Sequence, residues 1–144
     1  MTRKRLLIAA LISLVTAALV ACGVTAAAPN QSATTPDALK GSWTLVWWSD
    51  SAALPDAPIT MDIEDGRISG NSACNNYTGP LEANDSTFRT GLLAGTLMAC
   101  IDDRGQAEDT YRLLLAAATG WSIEDSQLSL TTDGVAHLRF AKTS

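Results

Sequence analysis

The sequence predicts a mainly β domain, an antiparallel sheet covered by a single α-helix. Three observations carry that class. Apolar and polar residues alternate along Ser42–Trp47 and along Ile59–Glu64, the period of a half-buried strand. Asp65-Gly66 and Asp133-Gly134 each join two such runs as two-residue hairpin turns. After Cys100 the period changes, and Ala107, Tyr111, Leu114, Leu115 and Ala118 recur at helical spacing along one face.

Taken in order, the chain opens with an export signal, residues 1–21. Arg3, Lys4 and Arg5 precede an uncharged segment, Leu6–Ala21, in which Ser13 and Thr16 are the polar members. Its 16 residues fall short of the roughly 20 that span a bilayer, which favours a cleaved signal over an anchor helix. Leu19-Val20-Ala21-Cys22 looks like a lipobox, where lipoprotein signal peptidase cuts ahead of a diacylated cysteine. Cys22 is therefore the expected lipidation site, each buried CH₂ of its acyl chains contributing about 0.8 kcal/mol of membrane affinity. Residues 22–38 read as the lipidated cysteine and a flexible tether. Their Ala, Thr, Ser and Gln, with Pro29 and Pro36, bury too little apolar surface to offset chain entropy. The folded domain is expected over 39–144.

Within it, Trp43, Leu45 and Trp47 form the inward row of a first strand, and Ile59, Met61 and Ile63 that of a second. A type I′ turn at Asp65-Gly66 would set Ile63 opposite Ile68. The central stretch Arg67–Cys100 packs turn formers around Cys74, then returns to strand residues near 77–82, 87–90 and 92–98, with a turn at Asn84-Asp85. Asp103 is the expected helix N-cap, with Gln106 as its capping-box partner. Glu108 and Arg112 form an i,i+4 pair on the polar side, and Gly120 is the stop. Closing strands come at 121–124, 127–131 and 135–140, with Ala136, Leu138 and Phe140 inward and His137 and Arg139 outward.

Gly70-x-x-x-Cys74-Asn75-x-Tyr77-x-Gly79, together with Thr96-x-Met98-Ala99-Cys100, resembles the META domain found in HslJ-like bacterial envelope lipoproteins. Gly41-Ser42-Trp43-Thr44-Leu45, Glu108 and Leu128–Phe140 agree, so the resemblance spans about Lys40–Ala141. One departure is Ala73, where the family often has glycine. The resemblance implies a small lipocalin-like barrel covered by a single helix and no established enzyme activity. It associates the family with heat-shock and antibiotic-tolerance proteins.

Three cysteines divide into one plus two. With Cys22 taken by lipid, Cys74 and Cys100 remain in an oxidising exported compartment, where a disulfide is favoured. Closing that loop stabilises by roughly 3–4 kcal/mol in the chain-entropy model. A redox pair would show Cys-x-x-Cys and an electropositive neighbour, and neither is present.

The chain lacks Gly-x-Ser-x-Gly, His-Glu-x-x-His and phosphate-loop motifs, and His137 is its single histidine, so a catalytic role is not expected. Asp102-Asp103, Glu108-Asp109 and Glu124-Asp125 lack the alternating spacing of a calcium loop, and no metal or cofactor is expected. The formal charge is −5, and removal of Arg3, Lys4 and Arg5 with the signal leaves −8, which opposes nucleic-acid binding.

Function is then expected to be that of a non-enzymatic binding or stress-protective module in the bacterial cell envelope, lipid-anchored to a membrane. By analogy this is the outer membrane, facing the periplasm, in a two-membrane organism, since Gly23 is no retention aspartate. The expected partners are the membrane itself and an envelope protein or small molecule. The alternatives are a carrier of a small apolar ligand or a protease-inhibitor-like barrel. Strand alternation turns Trp48 outward, so Trp48 with the Asn75-Asn76-Tyr77 corner is the expected contact surface.

Overall fold

A computed structural model describes residues 34–143. The expected signal segment and Cys22 lie outside them. Among the described residues, nine strands form one antiparallel sheet: β1 Gly41–Trp48, β2 Thr60–Glu64, β3 Arg67–Asn71, β4 Asn76–Ala83, β5 Phe88–Thr90, β6 Ala94–Gly95, β7 Gly120–Glu124, β8 Gln127–Thr132 and β9 Val135–Lys142. Helix α1, Arg104–Ala117, falls between β6 and β7. The sheet order is β5-β4-β3-β2-β1-β9-β8-β7, with β6 pairing β4. A bridge from Thr87 to Gly120 and the Phe88 N–H donating to Thr119 O (3.2 Å) bring the two ends together. The result is a nearly closed barrel, which leaves little sheet edge unpaired.

The interior is filled. Trp43, Tyr111, Phe88, Phe140, Met61, Ile63 and Ile68 are essentially inaccessible, together with Leu39, Leu115, Leu128, Leu130 and Leu138. Alternation places most of them as expected: β2 buries Met61 and Ile63, and Ile63 pairs with Ile68. The Asp65-Gly66 loop closes that hairpin, but only Gly66 has a positive φ (68°), so the turn is not type I′. The type I′ signature, positive φ at both central residues, occurs at Asp125-Ser126 and at Asp133-Gly134.

Two bulges overturn the outward and inward assignments at the β1–β9–β8 side. In β1 the register shifts between Leu45 and Trp47, so Val46 and Trp47 both face solvent (43% and 39% exposed) and Trp48 turns in at 4%. Trp47, expected inside, instead lies under the Arg139 guanidinium, 4.6 Å from its ring centroid. Trp48, expected outside, is a core residue whose Nε1–H donates to Ala52 O (2.8 Å). The second shift, between Leu130 and Thr131, leaves His137 as the extra residue of β9. His137 is consequently buried, not outward, and its Nε2–H donates to Leu114 O (3.0 Å).

That contact explains how α1 ends. The last carbonyls of a helix need donors from outside it. Here His137 serves Leu114 and the Thr132 hydroxyl serves Ala117 (2.7 Å), while Ala118 is already extended. Gly120 is not the stop; it opens β7. At the other end the expected capping box does not form: Asp103 has helical angles and no side-chain cap bond. Asp102 substitutes, its Oδ1 accepting the Arg104 N–H and Nε–H, both at 3.1 Å. The expected strand over 92–98 shrinks to Ala94–Gly95. The packed domain also begins before Leu39, since Thr35 is buried and its hydroxyl bridges Glu64 O and Gly66 N–H.

Candidate functional site

The Gly70–Cys100 stretch converges on one side chain, Asn75. Chain reversal after β3 begins at Gly70, where a Cβ would stand 2.0 Å from Thr60 O, so only glycine lets the strands approach this closely. Asn71 Oδ1 then accepts the Ala73 N–H (2.9 Å), and the Ser72 N–H and hydroxyl both donate to Asn75 O (2.8 Å each). Ala73 completes the reversal at φ 84°, a conformation strained for a residue with a Cβ.

Asn75 is 5% exposed and uses all of its amide. Its Oδ1 accepts the Thr96 hydroxyl and the Met98 N–H, both at 2.8 Å. Its Nδ2 donates to Glu108 Oε2 at 3.0 Å and to Met98 O at 3.4 Å. Glu108 Oε2 also takes the Asn75 backbone N–H (3.1 Å), and its Oε1 pairs with Arg112 Nη1 (3.2 Å). Arg112 in turn donates from Nη2 to Leu93 O (3.4 Å). A buried carboxylate is tolerated because it is both paired and hydrogen-bonded. Helix, corner and the 93–98 segment are thus tied by a single network.

Cys74 and Cys100 stand beside it at disulfide distance, their Cα atoms 6.0 Å apart. Together with Glu108 they bring ligand-type atoms within 4.8 Å of one another. With the sulfurs joined, the trio offers a metal no thiolate, and Asn75 already occupies the carboxylate oxygen nearest them. Below the corner, the Tyr111 and Tyr77 hydroxyls meet at 2.7 Å, and Tyr77 donates to Thr60 O (3.0 Å). Burial holds both phenols protonated well above the ordinary tyrosine range.

The expected contact surface is therefore not assembled. Trp48, Asn75 and Tyr77 are all buried, and only Asn76 of the four faces solvent. The polar residues that looked available for recognition are consumed in holding the corner. What the structure presents outward lies next to them. Leu92 and Leu97 are 94% and 96% exposed, Met98 59% and Ile101 73%, along a segment pinned from beneath by Asn75 and Cys100. The strand-like composition of 92–98 hid this exposure, and no local signal in the sequence pointed to it. Among the described clefts, the one between Trp48, Leu54, Pro55, Gln106 and Thr110 encloses about 150 Å³, less than a drug-sized ligand requires, and a wider one of about 560 Å³ is an open groove on the outside of the sheet between Asp65, Arg67, Thr78, Pro80, Leu92 and Ala94.

Comparison with known proteins bears on the family and the fold. The META domain family model matches residues 37–144. A solved structure of a protein from Burkholderia xenovorans is similar at 29% identity and TM-score 0.62, covering 82% of this chain and 98% of its own. A DUF4847 family protein from Bacteroides vulgatus shares the fold at 16% identity and TM-score 0.54, over 73% of this chain and 95% of its own. No curated protein matches.

Proposed function

The chain belongs to the META domain family, and on that premise we propose that it is a lipid-anchored, non-enzymatic binding or stress-protective module of the bacterial cell envelope. One observation carries the binding part. The motif residues spend their hydrogen-bonding capacity inside the fold, while large apolar side chains at 92, 97, 98 and 101 are held out to solvent on a braced segment. Apolar surface kept rigid and exposed is the usual mark of an interaction site. A carrier of a small apolar ligand would need interior space, which Trp43, Phe88, Tyr111 and Phe140 occupy. Anchoring rests on the lipobox at Leu19–Cys22 behind the apolar segment.

The test is in-cell photo-crosslinking from position 92 or 101 of the full chain, with mass spectrometry of the captured species. Capture of one discrete species from these positions, absent when the probe sits at Glu124 on β7, is the expected result. Equal capture from both places would defeat the binding reading. Separately, Cys22→Ser should abolish acyl labelling, and unchanged labelling would remove the anchor.

A further inference from the structure

We propose that Thr96–Cys100 is an inhibitory loop that enters the active-site cleft of an endopeptidase whose primary pocket accepts leucine; the proposal rests on the binding-module reading and names its partner class. Leu97 is the centre of the loop. Its side chain is 96% exposed, and its own N–H and C=O make no hydrogen bond among the described residues. The residues on either side are fixed. The Thr96 N–H donates to Asn76 O (3.1 Å) and its hydroxyl to Asn75 Oδ1, while Met98 is held at both its N–H and its C=O by the Asn75 amide. Two residues further on, Cys100 is bound to Cys74. No residue from Thr96 to Cys100 has a positive φ.

Peptidases bind their chains extended, pairing with free backbone groups and burying one side chain in a pocket. Leu97 offers that side chain and those backbone groups. The frame beneath it removes the ordering cost that a flexible substrate would incur on binding. The same frame governs the outcome of attack. Hydrolysis of Leu97–Met98 would add water across the peptide bond, leaving a carboxylate on Leu97 and an amine on Met98. Thr96 and Met98 would both stay hydrogen-bonded to Asn75, with Cys100 still linked to Cys74, so the new ends remain adjacent. Resynthesis, with loss of that water, then competes with release. A loop so held blocks the enzyme instead of feeding it. Met98 and Ile101, both more than half exposed, are placed to touch the rim of the cleft.

The experiment uses the purified full chain in detergent micelles against chymotrypsin, pancreatic elastase and subtilisin, with residual peptidase activity and the intact mass of the chain as readouts. Saturable inhibition of at least one enzyme is expected, with the chain uncut or carrying a single nick at Leu97–Met98. Leu97→Asp should weaken inhibition at least 100-fold, whereas Leu113→Asp, at an exposed leucine of α1, should leave it unchanged. Thr96→Val removes one hydroxyl from the frame and should raise the rate of loop cleavage about tenfold. No inhibition by the parent chain at micromolar concentration, rapid cleavage at several sites, or equal loss in the Leu97 and Leu113 variants would each overturn the proposal. Crosslinking from positions 92 and 101 that still captures a discrete partner would show that the wider binding reading survives such a failure.

Discussion

The corner at Ser72–Asn75 and the segment that passes over it, Leu92–Ile101, invert the usual relation between polarity and burial. The corner buries Ser72, Asn75 and the facing Glu108, while the segment leaves Leu92, Leu97 and Ile101 in water. The difference lies in what each does for the backbone. A chain reversal without regular pairing strands N–H and C=O groups that must find partners, and Asn75 and Glu108 supply them. The 92–101 segment makes only a two-residue strand with β4, so its attachment comes from the corner's side chains. Apart from Leu93, Thr96 and Cys100, which turn toward the fold, its larger side chains face outward. In these two regions, position in the hydrogen-bond network, more than hydropathy, decided which residues went inside.

Breaking the network should therefore cost far more than trimming the apolar residues. Glu108→Ala leaves the Asn75 N–H and Nδ2 and the Arg112 guanidinium without their carboxylate, and should destabilise by about 3–5 kcal/mol in urea unfolding. A loss below about 1 kcal/mol would mean the network is peripheral. Opening the Cys74–Cys100 bond comes next, at roughly 3–4 kcal/mol, read as a lower unfolding midpoint with reductant. If both thiols alkylate freely in the folded, unreduced protein, that bond is absent.

Ala73→Gly should act in the opposite direction. The φ of 84° suits glycine, and relief of the strain should stabilise by about 1 kcal/mol even after glycine's greater unfolded-state entropy. A destabilised variant would show that the Ala73 methyl contributes more by packing than it costs in backbone strain. The smallest effect is expected at the apolar residues: Leu92→Ser and Leu97→Ser should each stay within about 0.5 kcal/mol of the parent. A large loss at either would place that side chain in contact with something in the folded chain.

Much of this was legible in the residues. Period-two alternation placed Met61, Ile63, Ile68, Leu138 and Phe140 inside, and period 3.6 found Ala107, Tyr111 and Leu115 on the buried face of α1. Local rules of this kind work where the backbone stays regular, because side-chain direction then depends on position alone. They failed at Trp47, Trp48 and His137 for a shared reason. A single extra residue in β1 and another in β9 reset the alternation, and a bulge depends on how neighbouring strands must twist to close a barrel. The turn formers around Cys74 marked a corner, and the even pair of remaining cysteines marked a link. That Asn75 would be buried, and Leu97 bare, depended on Met98, Glu108 and Thr96 arriving from 21 to 33 residues away. Nothing local to Asn75 encodes those partners; only the folded chain brings them to it.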